Sequence, residues 1–391
     1  FSFSFEKNKI SAKPFEVVSF DVFSTTNKES CWTMGDFNQD GIDELVSASP
    51  EKGEVLHLLS NEEGFSGMID SSPSMRGIGQ LSAIKHKGKT NLMVLSSEEE
   101  MLGIAEYSRE SGFSFPYMIK VDGVPLAALP SVTGKQKDDK ILALCEQDSG
   151  FILMTFVGSE NGSGYDITNQ YEIEELRREP DSLFSCDLNG DDLQDVLILS
   201  NRDAPVILLA DQKDGWQSVA QNSVVRKSFM KGLELEKLSK FNDPISKKDR
   251  LLVAGDGFVR VIAWVEDELR VVEQFNAKDQ SGELFTPVKI DWEGKGSDEV
   301  FAFHEDGYWE RLDSKNTSVQ QTNRWESSFL VPTDFCLFQS AESVKLLSLG
   351  KSGLQVISPK NSQDLSLEVE SRYLTDLPKI RHHGIECGDF N

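Results

Sequence analysis

Reactive and metal-binding side chains are scarce in this 391-residue chain, and where they occur they are badly placed for the common chemistries. The five cysteines, Cys31, Cys145, Cys186, Cys336 and Cys387, are odd in number, irregularly spaced and without a CxxC pair. That excludes the signature of a disulfide framework or of a thiolate zinc site, and leaves them as small core residues. The five histidines, His57, His86, His304, His382 and His383, fall in neither an H-E-x-x-H nor a nucleophile-elbow context. His57, between Leu56 and Leu58, reads as a strand-face residue, and the adjacent His382 and His383 would point to opposite faces of a strand. Walker, Rossmann and haem-attachment motifs are missing too, which removes the usual cofactor signatures. Basic residues are outnumbered, 40 against 65 acidic, giving a formal charge of -25 and a pI near 4.6. Such a chain repels nucleic acid and anionic lipid and favours cations or basic partners. No stretch approaches the ~20 apolar residues of a membrane helix, so direct membrane insertion is not expected. Helix signals are nearly absent, with Ile173 to Arg178 the best short candidate.

What the chain does contain is repetition. GDFNQDGIDELV, from Gly35 to Val46, sets oxygen ligands at alternate positions and runs straight into an apolar strand. Asp36, Asn38 and Asp40 take the first, third and fifth places, Gly41 the sharp turn, the carbonyl of Ile42 the seventh place and Glu44 the ninth. A hard cation that wants several oxygens at once explains this spacing. CDLNGDDLQDVLIL, from Cys186 to Leu199, repeats it with Asp187, Asn189, Asp191, the Leu193 carbonyl and Asp195, although Asp192 replaces the glycine. An Asx-turn loop holding no ion is the competing reading. KIDWEGKGSDEVFAF, from Lys289, places Lys295 in the fifth position, where its ammonium is expected to pair with Asp291, Glu293 or Glu299 in place of an ion. The other copies have lost their ligands: Lys85, His86, Lys87 and Lys89 surround the second, Lys135 and Lys137 the third, Asn242 to Asp249 form the fifth and Ser340 to Ser343 the seventh. Turns without metal are expected there. The terminal GDFN, Gly388 to Asn391, has only the start of a loop.

The strands that follow these loops align on Glu44, Asn91, Lys140, Asp195, Arg250, Glu299 and Lys345, with spacings of 47, 49, 55, 55, 49 and 46. A period of about 50 is that of propeller blades. Runs such as NLMVLS, KILALC and DVLILS are short with continuous apolar centres, as strands buried on both faces should be. A second strand follows each, starting with glycine in five of seven units, and Asp256-Gly257 and Ser149-Gly150 supply the positive φ of a tight hairpin. More polar runs, LRVVEQF from Leu269, SVQQTN from Ser318 and LSLEVES from Leu365, complete four strands per unit.

Loops and period together resemble FG-GAP/VCBS repeats, the calcium-loop β-propeller units also found in the integrin α-subunit head. The pattern D-x-[DN]-x-D-G-x-x-[DE] is met in full by Asp36 to Glu44 and, but for Asp192, by Asp187 to Asp195. The absence of Gly-Gly pairs and of a Trp-Asp dipeptide sets kelch and WD40 repeats aside. The resemblance implies an all-β fold, a β-propeller of four-stranded blades, with the metal loop between the first and second strands of a blade and Ca2+ in two structural sites. Seven blades are favoured and eight are the alternative, because FSFSF and VVSFDVF near the N-terminus supply extra strand candidates.

The expected organisation is residues 1–30 as strands closing or extending the ring, 31–386 as a seven-repeat propeller, and 387–391 as the start of a further repeat. The expected function is a noncatalytic, calcium-stabilised propeller in a secreted, periplasmic or cell-surface protein, with one disc face offered to a protein or glycan partner. A polysaccharide-acting enzyme or enzyme-associated propeller is the alternative, and a structural spacer in a larger assembly the third reading. The start at Phe1, without a methionine and signal-peptide pattern, reads as a processed or excised segment. Of the six tryptophans, most are expected between blades rather than in a sugar platform. Glu98 to Glu100 and Glu160 to Gly164 read as solvated loop tips rather than acid/base pairs.

Overall fold

The computed structural model describes the chain except residues 1–3, 7–8, 12–31, 42, 50–51, 62–63, 97, 132–139, 160–163, 177, 181, 201, 212–214, 220–227, 279–281, 291–298, 306–307, 313–323, 327–331, 340–343, 351–352, 362–363 and 375–391. The described residues build seven four-stranded antiparallel sheets. The first holds Trp32–Gly35, Glu44–Ser49, Glu54–Asn61 and Gly64–Pro73; the second, Ile78–His86, Lys89–Ser96, Met101–Ala105 and Tyr117–Ile119. Val124–Ser131, Lys140–Gln147, Gly150–Gly158 and Tyr165–Glu172 make the third; Ser182–Cys186, Asp195–Leu199, Val206–Ala210 and Trp216–Ser218 the fourth. The fifth comprises Leu238–Asn242, Asp249–Gly255, Phe258–Val265 and Glu268–Asn276, the sixth Leu284–Ile290, Glu299–His304, Tyr308–Leu312 and Arg324–Glu326. Pro332–Gln339, Val344–Gly350, Gly353–Asn361 and Asp364–Leu374 form the seventh. Strands follow one another in chain order across every sheet, and in the second a small hairpin, Tyr107–Ser108 with Gly112–Phe113, precedes the fourth strand.

Burial explains the sequence pattern strand by strand. Second strands are enclosed on both faces: all five residues of Asp195–Leu199 are buried, as are the last six of Lys89–Ser96. Fourth strands such as Tyr165–Glu172 are half exposed to fully exposed, which is why they carry polar residues. Apolar side chains meet between consecutive sheets. Val46, Val55, Leu92 and Val94 join the first sheet to the second, and Ile104, Ile141, Met154 and Phe156 join the second to the third. Leu197, Ile207, Leu251 and Ile262 join the fourth to the fifth, and Leu252, Val261, Val300 and Ala302 the fifth to the sixth. Truncating a fully buried residue such as Phe156 to alanine would cost about 3–5 kcal/mol.

First strands of neighbouring sheets are also tied to one another. The Ala83 N–H donates to Thr33 Oγ1 at 3.1 Å, the Ala128 N–H to Gln80 Oε1 at 3.1 Å, and Lys240 Nζ to the Ser185 carbonyl at 2.9 Å. Ser239 Oγ likewise donates to the Pro287 carbonyl. The first three sheets, and likewise the fourth to the sixth, thus pack face to face and meet along their first strands. The chain divides between Glu174 and Glu175 into two compact units, the first holding three sheets and the second four.

Three expectations change. The described residues of Ile173 to Arg178 form no helix: Ile173 is buried and Glu174 and Glu175 form a turn, because two apolar residues, Ile173 and Leu176, are too few for a sustained apolar stripe. FSFSF supplies Ser4–Glu6, which pairs with Lys9–Ser11 in a separate two-stranded sheet, while VVSFDVF lies outside the described residues. In the fifth sheet Asn242 pairs with Asp249, so Asp249 rather than Arg250 opens the second strand. SVQQTN also lies outside the described residues.

Candidate metal centre

The Asp36 loop connects the first two strands of the first sheet, where Gly35 pairs with Glu44, and the Asp187 loop does the same in the fourth, where Cys186 pairs with Asp195. Each ninth-place acid is therefore the first residue of a buried strand. The two loops share one hydrogen-bond network. The fifth-place N–H donates to the first-place carboxylate, Asp40 to Asp36 Oδ1 at 3.0 Å and Asp191 to Asp187 Oδ1 at 3.2 Å. It also reaches the third-place amide oxygen, Asn38 Oδ1 at 2.8 Å and Asn189 Oδ1 at 3.0 Å. The sixth-place N–H of Gly41 donates to Asp36 Oδ2 at 3.1 Å, and that of Asp192 to Asp187 Oδ2 at 3.0 Å. Finally, the second-place amide is held by the ninth-place acid, Phe37 by Glu44 Oε2 at 2.9 Å and Leu188 by Asp195 Oδ2 at 2.8 Å.

Backbone conformation matches as well. The fourth and sixth places are left-handed in both loops, Gln39 at φ 61° and Gly41 at 89°, Gly190 at 80° and Asp192 at 65°. Asp192 thus adopts the conformation that the missing glycine would have supplied, which aspartate tolerates better than most residues.

Side chains separate the two. Oxygens of Asp36, Asp40 and Glu44 all lie within 4.8 Å of one another, a hard, all-oxygen donor set that fits Ca2+. Ile42, whose carbonyl is the expected seventh-place ligand, lies outside the described residues. Asp187, Asp191 and Asp195 do not converge to that distance among the described residues. Asp195 is a methylene shorter than Glu44, and its second oxygen is drawn to the Ala210 N–H at 2.9 Å. Asp191 Oδ1 accepts the Leu193 N–H at 2.9 Å. Burial pushes the Asp195 carboxyl up to about 7, against the pull of the Ala210 and Leu188 amides. Asp187 is raised by burial as well. A cation in this loop would relieve both.

The surroundings contain residues that the repeat pattern did not single out. Asp249, from the fifth sheet, takes the Asp187 N–H on Oδ2 at 3.0 Å and returns its own N–H to the Asp187 carbonyl at 2.8 Å. The second loop is thereby fastened to the next sheet. Within the fifth-sheet loop Asp243 pairs with the Arg250 guanidinium and accepts from Ser246 Oγ at 2.6 Å and from the Ile245 N–H at 3.3 Å. That loop carries its own cation. In the second sheet the corresponding turn is only Lys87 and Gly88, both left-handed, between His86 and its partner Lys89. Asp291, Glu293 and Lys295 lie outside the described residues, as do residues 132–139 and 340–343; Glu299 is described and pairs with Arg311, Nη1 to Oε1 2.6 Å.

Of the other singled-out residues, His57 lies in its strand as expected and is fully buried, and Glu98 to Glu100 form a turn in which Glu99 accepts the Arg76 N–H. Trp264 packs against the core between the fourth and fifth sheets. Cys145 and Cys186 are free and buried, and burial drives both thiols far above their usual range, Cys145 to about 12. Neither is a nucleophile in that state. His382, His383, Cys31 and Cys387 lie outside the described residues.

No protein-family model matches the chain, and no curated protein matches it in sequence. Among solved structures it is similar to Saccharomyces cerevisiae Sqt1, with a TM-score of 0.56 and 8% identity over 86% of this chain and 84% of that one. It is also similar to BBS1N, solved in complex with ARL6DN, with a TM-score of 0.52 and 10% identity over 86% and 94%. Pseudomonas aeruginosa periplasmic gluconolactonase PpgL matches less well, at 0.48 and 11% over 83% and 92%. These are β-propeller-like folds, and at such identities the likeness is one of fold alone.

Proposed function

We propose that this chain is a seven-bladed, calcium-stabilised β-propeller of the FG-GAP/VCBS kind, a noncatalytic scaffold that presents one disc face to a protein or glycan partner in a secreted or cell-surface protein. The observation that carries the reading is the shared geometry of the Asp36 and Asp187 loops. Two hairpins about 150 residues apart repeat four hydrogen bonds and two left-handed residues while differing at six of the nine loop positions. A cation bound there would join a loop to the first residue of a buried strand and offset the repulsion of clustered carboxylates. Asp36, Asn38, Asp40 and Glu44 would hold it in the first loop, with Asp187, Asn189, Asp191 and Asp195 in the second. Face-to-face sheets joined along their first strands support the propeller arrangement, and a propeller avoids open edges by joining its first and last blades. Protein partnership is supported by the complex in which the fold neighbour BBS1N was solved.

Calcium that binds only the folded chain adds about 2.7 kcal/mol at a hundredfold excess over Kd, or about 5–10 °C in a unit of this size. Thermal unfolding of the metal-stripped chain should rise by that amount when calcium is restored, and Asp36→Asn should remove part of the rise. Equal melting temperatures in calcium and in excess chelator would overturn the reading.

A further inference from the structure

His57 lies in the middle of an apolar strand and is fully buried, yet neither ring nitrogen has a hydrogen-bond partner among the described residues. The ring is enclosed by Phe37, Tyr107 and Phe113, with centroids at 6.4, 4.8 and 5.2 Å. Among the oxygens described around it, the one that Nε2 approaches is Glu44 Oε2, at 3.9 Å, a little beyond hydrogen-bond length. Enclosing an unpaired imidazole is unfavourable, so a packing role alone would be better served by leucine or phenylalanine.

Register explains the choice. His57 faces Val46, two residues beyond Glu44 on the same face of the sheet. Four second strands open with an acid, Glu44, Asp195, Asp249 and Glu299, and the same cross-strand position can be read in each. Opposite the two aspartates stand Ile207 and Ile262, facing Leu197 and Leu251. Opposite the second glutamate stands Arg311, which faces Phe301 and pairs with Glu299 at 2.6 Å. The longer acid is thus matched with a donor in both sheets where it occurs, and the shorter one with an aliphatic residue in both. Both glutamates have a third-strand side chain within reach, His57 or Arg311, whereas Asp195 takes the third-strand Ala210 N–H instead; Glu44 and Asp195 alike also hold the second-place amide of their loop.

The two donors differ in charge. Arginine donates only as a cation and neutralises its carboxylate, while a neutral imidazole can donate one N–H and leave the carboxylate its charge. Carboxylates that ligate metals are commonly steadied by such a hydrogen bond. We propose that His57 is the positioning residue of the first metal loop: it orients Glu44 from across the strand, and the identity of this cross-strand residue decides whether the acid serves a cation or closes an ion pair as Glu299 does. The inference rests on the calcium reading of the Asp36 loop.

The test is calorimetric titration of the calcium-stripped full chain with Ca2+, with Asp36→Asn to identify the first site. His57→Arg should abolish binding at that site while leaving the Asp187 site unchanged. His57→Phe, which fills the aromatic pocket and donates nothing, should weaken it by about 10- to 100-fold, and His57→Gln, which restores a donor, should recover to within a few-fold of the parent. If His57→Arg fails to fold, the phenylalanine and glutamine pair decides. A folded His57→Phe or His57→Arg chain with parental affinity at the first site would overturn the proposal while the calcium reading stood. A parent chain with no calcium at the first site would instead remove that reading, and the role of His57 with it.

Discussion

The Asp36 and Asp187 loops share a backbone and divide their carboxylates differently. In the first, three acids converge within 4.8 Å and the ninth-place Glu44 also holds the Phe37 and Asn38 amides. In the second, Asp195 spends both oxygens on the Leu188 and Ala210 amides and stands apart from its neighbours. One methylene accounts for much of the contrast. The first loop is therefore organised around a common point, and the second around the strands on which it sits, with Asp249 adding a tie to the next sheet. The shared pattern D-x-N-x-D describes the backbone of both and conceals this difference.

Removing the ninth-place acids should have the largest effect. Glu44→Ala and Asp195→Ala each strand two loop or strand amides, at about 1–3 kcal/mol for each one buried, so each variant should lose about 3 kcal/mol or more in excess chelator. Their dependence on calcium should separate them. Urea unfolding with and without the ion should show the larger calcium-dependent loss for Glu44→Ala, because Glu44 belongs to the convergent group. A larger calcium-dependent loss for Asp195→Ala would reverse the comparison.

Sixth-place exchanges come next. Gly41 is at φ 89° and a Cβ there would meet nothing within 4 Å, so Gly41→Ala isolates backbone strain of about 1–2 kcal/mol. Asp192→Gly relieves the same conformation at φ 65°, partly offset by the larger entropy of an unfolded glycine, and should stabilise the second loop by at most about 1 kcal/mol. Opposite signs for the two exchanges, measured by chemical unfolding in chelator, are expected. A stabilising Gly41→Ala would mean that the loops do not share a backbone.

Much of this was legible in the chain because each unit repeats a burial pattern that leaves a linear trace. KILALC and DVLILS have continuous apolar centres since both faces of a second strand are covered, and Gly53 and Gly257 stand where a hairpin needs positive φ, 65° and 72°. The shared backbone of the Asp36 and Asp187 loops could be read from spacing for the same reason. Partners brought together across strands or sheets were not legible. Leu56 and Leu58 show that His57 is in a strand but not that Glu44 lies beside it, since that depends on the Val46 register. Asp249 meets Asp187 across 62 residues, and the adjacent Asp249 and Arg250 are both polar, so the pattern left the strand start uncertain by one residue.

The fifth-sheet loop, Asn242 to Asp249, extends the comparison to a case in which the cation is part of the chain, and here a small pH effect is expected. Asp243 is held below its ordinary value of 3.8, chiefly by the Ser246 hydroxyl and further by the Ile245 amide and Arg250, with burial opposing them. Folding therefore favours the ionised form. The stabilisation is fully present above the unfolded value and is lost as pH falls below about 3.8 toward the folded one. Asp243→Asn should be less stable than the parent by a constant margin above about pH 5, and the margin should shrink as the solution is acidified through pH 4 to 3. Since the Arg250 ion pair is partly exposed, with Arg250 at 31%, salt should reduce the margin as well. Calcium should leave it unchanged, because the Asp243 carboxylate is already paired with the Arg250 guanidinium. A margin that widened in acid, or that calcium erased, would place Asp243 among the metal-dependent acids and dissolve the distinction between a loop that recruits its cation and one that encodes it.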